Sequence, residues 1–205
     1  SLVGRKKIFQ MGTLDFEEFL LFKSREDLVL ELNQLRSRKK TKSIQENLLW
    51  TYMDEFMNYG GYPAVVLENN IEEKIEMLKE IRDSYIMSDV LESGVSDQGK
   101  FYRMLLLLAS QSGNLLNVNE ISNTLKITNA TVENYLYVLQ KCFHITLVRP
   151  FYNTIRKELT QMPKVYINDL GLRNVLINYF SPLEQRADKG AVLENLAFRV
   201  LSERY

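Results

Sequence analysis

The stretch from Asn117 to Asp169 constrains this chain more than any other, because it sets out its elements in an order that few folds share. Asn117 to Leu125 reads as a short helix, with Val118, Ile121 and Leu125 at i, i+3 and i+7 on one apolar face. Lys126-Ile127-Thr128-Asn129 is a tight connection. Thr128 can cap a second helix, since its hydroxyl can accept from a backbone N–H two or three residues on. Ala130 to Cys142 reads as that second helix, with Val132, Leu136 and Leu139 as its buried stripe. Two β-rich runs come next, Phe143 to Val148 and Val165 to Asn168, separated by a long tip.

Helix, turn, helix and hairpin is the order of a winged helix-turn-helix. The outer face of the second helix carries Asn129, Thr131, Glu133, Asn134 and Tyr137. In a DNA-reading module such positions face the major groove. Here they are polar rather than basic, and Glu133 repels phosphate. The hairpin is different: Arg149, Arg156, Lys157 and Lys164 lie along it, with Tyr152 and Asn153 among them. Cations so placed can reach backbone phosphates, which positions a duplex without reading its sequence. Thr131 and Asn134 on the helix and these four basic residues are therefore the candidate nucleic-acid-binding set. The competing reading is a module that faces protein, with the basic residues paired to a neighbouring domain.

Ahead of this module the chain is helical. Lys7 to Met11 reads as a short strand, and Asp15 with Glu18 forms a capping-box pattern for a helix whose apolar face is Phe16, Phe19 and Leu20. Arg25 to Gln34 is a second helix with Leu28, Leu32 and Leu35 on one side. Arg36 to Lys42 holds five basic residues in seven, a solvated loop or a phosphate-facing patch. Ile44 to Tyr59 keeps helical spacing and ends at Gly60-Gly61, with Pro63 preventing immediate re-entry. Ile71 to Leu91 is the longest expected helix, with Ile71, Ile75, Leu78, Ile81, Tyr85 and Ile86 inward. Gly94 to Gly99 breaks the pattern and marks a boundary. Phe101 to Ser112 is almost wholly apolar and suits a central helix. After the hairpin, Asp169 to Leu176 begins another helix, and Gly190 to Arg204 a last one with Leu193, Leu196, Ala197 and Val200 on one face.

Several chemistries are excluded. No Gly-x-x-x-x-Gly-Lys-Ser/Thr loop occurs, so these residues hold no cradle for ATP. No Cys/His cluster suits zinc. His144 is the single histidine and sits in an apolar run, a packed strand residue rather than a general base. Glu72-Glu73 belongs to a solvated helix face. No catalytic or metal-ligating residue is assigned, and the chain is not expected to be an enzyme by itself. The formal net charge of +0 gives no global attraction to nucleic acid or anionic lipid. One cysteine, Cys142, fits a reducing cytoplasm. No apolar run of membrane-spanning length exists, so no membrane partner is expected.

Taken together, several motifs resemble a family of prokaryotic AAA-type ATPases with a C-terminal domain of unknown function. Gly4-Arg5 followed by Thr13-Leu-Asp-Phe-Glu-Glu-Phe19 is similar to the end of that family's P-loop core. Gly60-Gly-Tyr-Pro-Ala64 is similar to its Gly-Gly-Tyr/Leu-Pro element. Leu108 to Asn117, Thr131 to Leu136, Pro150-Phe151, Pro163 to Tyr166 and Asp169 to Arg173 resemble its C-terminal domain. Gly190 with Glu194-Asn195 resembles the start of a closing restriction-endonuclease-like module. Asp15 stands where Ser is commoner, and both cap a helix.

The resemblance implies a parent ATPase that holds ATP and Mg outside this chain, which itself carries no cofactor. It implies that Arg5 sits near where such proteins sense nucleotide. It also implies that Glu194 lacks the rest of a nuclease site. The chain, which starts without Met and stops within an apparent helix, is then expected to be part of a longer protein. The resulting expectation is a mainly α fold, a helical lid subdomain plus a winged helix-turn-helix with a small β-hairpin. Residues 1–22 would be the tail of the ATPase core, 23–97 the lid and 98–169 the winged helix. Residues 170–205 would be a linker helix and the start of a truncated module. The expected role is to couple nucleotide state to double-stranded DNA. The alternative is docking on its own ATPase core or other subunits, with no nucleic acid.

Overall fold

Short helices joined by tight turns and one hairpin account for the architecture, seen in a computed structural model that describes residues 11–39, 41–86, 88, 95 and 97–202. The fold is mainly α with one small two-stranded antiparallel sheet. Arg5 and the expected strand residues Lys7 to Gln10 lie outside the described residues. Met11 is exposed and in no strand.

The first layer is α1 (Phe16–Phe22), α2 (Glu26–Arg36), α3 (Glu46–Tyr59), α4 (Pro63–Leu67) and α5 (Ile71–Glu80). Asp15 and Glu18 form the expected reciprocal capping box on α1. Phe16, Phe19 and Phe56 pack ring against ring with centroids 5.3 to 5.9 Å apart, and Leu20, Leu28 and Val66 complete that core. Several helix boundaries differ from the sequence expectation. Pro63, expected to prevent re-entry, instead opens α4 at its first position, where the missing N–H has no helical partner to lose. α3 begins at Glu46 because the Ile44 N–H donates to Glu31 Oε1 at 3.2 Å and the Gln45 N–H to Ser43 Oγ at 3.0 Å. These side chains hold the preceding residues in a turn and leave Ile44 in solvent. α5 gives way at Ile81–Ile86 to a π-helical turn, where the wider bond pattern rotates the helix face. Ile71, expected inward, is exposed.

The second layer is α6 (Gln98–Ser110), α7 (Val118–Leu125), α8 (Asn129–Lys141), β1 (Ile145–Val148), α9 (Ile155–Thr160) and β2 (Lys164–Ile167). α6 supplies the centre of the largest core through Phe101, Met104, Leu105 and Leu108, all essentially inaccessible. Thr128 caps α8 as expected, its Oγ1 accepting from the Thr131 N–H at 3.2 Å. Lys126, left-handed at φ 53°, makes the turn between α7 and α8. β1 and β2 pair with Ile145 opposite Ile167 and Val148 opposite Lys164. The segment after α6 lies beside β2, with the Gly113 N–H donating to Val165 O at 2.7 Å and the Leu116 N–H to Pro163 O at 2.8 Å. The sequence pattern gives no sign of α9, which forms within the hairpin tip.

α10 (Leu170–Leu176) joins the two layers, and α11 (Lys189–Ser202) closes the fold after a 3-10 turn at Leu183–Gln185. The largest core gathers Val65 and Leu78 with Phe101, Leu139, Ile167 and Val175, so it draws on both sides of residue 97. α11 turns Val192, Asn195 and Leu196 inward, while Leu193 and Ala197 are exposed. The expected apolar stripe is therefore displaced, because the residues that face inward include polar ones. Among the described residues no helix is long and apolar enough to cross a membrane.

Candidate functional site

Pleat and capping decide where each candidate side chain points. Along β2, Val165 and Ile167 enter the core beneath α6 and α8, so Lys164 and Tyr166 take the other face. There Glu194 of α11 meets both. Lys164 Nζ donates to its Oε1 at 2.6 Å and the Tyr166 hydroxyl at 2.8 Å. Bonds from Lys164 and Tyr166 hold the Glu194 carboxyl below the usual range, and burial, helped by that carboxylate, pushes the Tyr166 phenol up to about 12. Lys164 is thus engaged within the fold.

The other candidates remain at the surface. Arg156 and Lys157 are exposed on α9, and Arg149 is exposed with Nη1 donating to Gln161 O at 3.4 Å. Around them the tip carries Phe151 and Ile155, 87% and 76% exposed, with Val148, Tyr152 and Met162 also open to solvent. On α8, Asn134, Glu133 and Tyr137 are exposed, and Lys141 Nζ lies 5.4 Å from the centre of the Tyr137 ring. Thr131 is half-buried, its Oγ1 2.9 Å from that of Thr128. His144 is buried at the start of β1 and Glu72-Glu73 opens α5 in solvent.

A second set of residues forms a buried polar joint that pattern reading missed. Asp169, at the N-cap of α10, accepts from the Leu172 N–H at 3.0 Å and from the Gly61 N–H at 2.8 Å. Gly60 has φ 74°, and a Cβ there would fall 2.1 Å from Asp169 Oδ1, so the Gly-Gly pair admits this carboxylate and no side chain. A Cβ on Gly171 would fall 2.2 Å from Tyr59 O, which explains the close crossing of α10 over the end of α3. Asn174 donates to Met57 O at 2.8 Å and Asn58 O at 2.9 Å. Asn195 donates to Ile167 O at 2.8 Å and accepts from the Ser112 hydroxyl at 2.7 Å. Arg199 donates to Asn168 O at 2.6 Å, Thr13 Oγ1 at 2.7 Å and Leu14 O at 2.8 Å.

Arg173 and Arg186 share Asp188, at 2.7 and 2.8 Å. Burial works against the Asp188 carboxylate, but hydrogen bonds from Arg186 and Arg173 outweigh it and hold the group at about 2. A cleft of about 620 Å³ opens beside the joint, bordered by Thr13, Phe143, Thr146 and Asp169. Among the described residues no group of His, Cys, Asp and Glu converges on a possible metal position.

The Gly60-Gly61 and Asp169 to Asn174 parts of this joint fall within one family profile. A domain of unknown function, DUF8612, matches residues 51–183, from α3 through the hairpin and α10 to the 3-10 turn. The chain belongs to the DUF8612 family. An uncharacterized protein of Methanocaldococcus jannaschii is 28% identical to it over 210 residues, covering 100% of this chain and 43% of that protein. One from Haemophilus influenzae is 29% identical over 210 residues, covering 99% and 46%. One from Mycobacterium tuberculosis is 30% identical over 150 residues, covering 67% and 33%. The chain thus spans less than half the length of these curated relatives. No solved structure matches it. In this DUF8612 chain Gly60-Gly61 and Asp169-Leu-Gly-Leu-Arg173, more than a hundred residues apart, serve one structural purpose.

Proposed function

We propose that this DUF8612 chain is the docking part of an AAA-type ATP-binding protein, with a winged helix that faces protein, either its own P-loop core or another subunit. ATP and Mg are held by that core, and the docking follows its nucleotide state. The observation that carries this reading is the hairpin tip, where Phe151, Ile155 and Met162 are each exposed within one short stretch of chain. Large apolar side chains exposed in one segment favour a protein surface, whereas DNA interfaces are polar and strongly basic. Lys164 is already held by Glu194, and Glu133 stands on the outer face of α8. The length of the relatives leaves room for a nucleotide-binding core.

Double-stranded DNA is the second reading, favoured by Arg149, Arg156 and Lys157 around the same tip and by Thr131 and Asn134 on α8. Fluorescence anisotropy of a labelled random duplex, titrated with this chain over a range of salt, separates the two. Protein docking requires no binding at low salt. Micromolar binding with a logarithmic salt slope of about −3, one phosphate for each of the three tip cations, overturns it in favour of DNA. Arg156→Glu with Lys157→Glu should then abolish that binding.

A further inference from the structure

A groove on the first layer, away from the hairpin, has the chemistry of a docking site. It holds about 460 Å³ between α2 and α3. Its walls are Leu32 and Leu35 on one side and Leu49 and Met53 on the other, with Phe16 at its base. Trp50 stands at its lip, 54% exposed. The mouth has a basic surplus: Lys42 and Glu46 line it as one charge of each sign, and Arg38 and Lys39 are exposed in the loop leading to it. Arg36, at the end of α2, is bound to Glu17 at 2.6 Å and is not part of that surplus. An apolar trough with a cationic rim fits a segment that is apolar at its centre and acidic at its edge.

This chain carries such a segment. At the corner between α4 and α5, Leu67 and Ile71 are 59% and 57% exposed. Glu72 and Glu73, also exposed, lie in the first turn of α5, and Glu68 precedes it. Asn70 holds the corner rigid, its Oδ1 accepting from the Glu72 N–H at 2.8 Å and the Glu73 N–H at 3.3 Å. The corner cannot fill its own groove. α3 shows Glu46, Leu49, Trp50 and Met53 to the groove, while Thr51, Glu55 and Asn58 line the cleft that holds Ile71 and Lys74.

We infer that the α2–α3 groove receives the α4–α5 corner of a second copy of this chain, Leu67 and Ile71 against Trp50 and Glu72 and Glu73 against Lys39 and Lys42. The contact joins two different surfaces, so it is heterologous and propagates from copy to copy, closing into a ring or running on as a filament. A groove of this size buries little area, so the association of the isolated chain is weak.

Trp50 is the single tryptophan of the chain, so its emission reports the groove directly. The experiment is a concentration series followed by sedimentation velocity and by Trp50 emission. The expected result is a blue shift that rises with the sedimentation coefficient. Glu72→Lys with Glu73→Lys, and separately Lys39→Glu with Lys42→Glu, should each weaken association at least about tenfold by placing like charges together. Mixing the two variants makes both contacts between unlike copies complementary, the reversed corner in the reversed groove and the native corner in the native groove, and should recover the blue shift in the mixture alone. All these positions are exposed, so the variants should keep the wild-type circular dichroism. A chain that stays monomeric to millimolar concentration with unchanged emission overturns the proposal. So does association that neither charge reversal affects. A blue shift produced only by an added acidic peptide, without dependence on chain concentration, also overturns it and gives the groove to a different partner.

Discussion

Replacing Asp169 by Ala should be among the most damaging single changes outside the apolar core. The carboxylate is 2% exposed and serves two backbone donors from distant parts of the chain, Leu172 N–H at 3.0 Å and Gly61 N–H at 2.8 Å. Losing the N-cap bond costs about 1 kcal/mol. Leaving the Gly61 N–H buried without an acceptor costs a further 1–3 kcal/mol or so. The Arg199 guanidinium, 3.8 Å from Oδ2, adds little because its stronger bonds go to backbone carbonyls. The sum is about 2–4 kcal/mol, which for a chain of this length lowers Tm by roughly 5–15 °C. Urea unfolding gives the free energy, and hydrogen exchange at Gly61 gives the local signature. Asp169→Asn keeps one acceptor and should lose about half as much. A loss below about 1 kcal/mol for Asp169→Ala, or unchanged protection at Gly61, refutes the claim that this carboxylate fastens α10 to the end of α3.

Two further predictions concern the arginine pair and the hairpin tip. The Asp188 carboxyl, held at about 2, contributes stability that is complete above the unfolded value of about 4 and is lost as pH falls through about 2. Carbon-detected NMR titration should show that low midpoint, and a midpoint of 3.5 or higher would contradict the bonds from Arg186 and Arg173. Phe151→Ser with Ile155→Ser at the tip should change stability by less than about 0.5 kcal/mol, since both side chains are in solvent. If the tip docks on a nucleotide-binding core as proposed above, the same double variant should abolish co-purification with that core, and retained co-purification removes the tip from the docking surface.

The helix–turn–helix and hairpin order was legible because periodicity and caps are local. Thr128, Asp15 and the stripes of α7 and α8 are each specified within a few residues of where they act. What escaped was non-local. Nothing near Asn195 or Arg199 signals that they turn inward, because their partners are Ser112, Ile167 and Leu14. The inward face of α11 was therefore misplaced toward Leu193. Ile44 has helical spacing but is held out of the helix by the bonds that Glu31 and Ser43 accept from the Ile44 and Gln45 N–H groups. For the candidate site, the basic residues of the hairpin could be found by eye. That Glu194 would bond Lys164 depended on the seating of α11, and the apolar character of the tip depends on the exposure of Phe151 and Ile155.

The seven residues of α10 also set the order in which the chain can assemble. The bond that its cap Asp169 accepts from the Gly61 N–H and the one that Asn174 donates to Met57 O link positions 108 and 117 residues apart. Such closures carry the entropy of a long loop, while α1 to α3 or α7 and α8 meet their neighbours across short ones. Each layer can therefore condense early, and α10 docks between them as the late, slow step. A pulse-labelling experiment would see it as protection at Gly61 arriving after protection at Leu136. Until that event the two layers are tethered halves. After it they unfold as one cooperative unit, because the bonds that complete each half are made by the other.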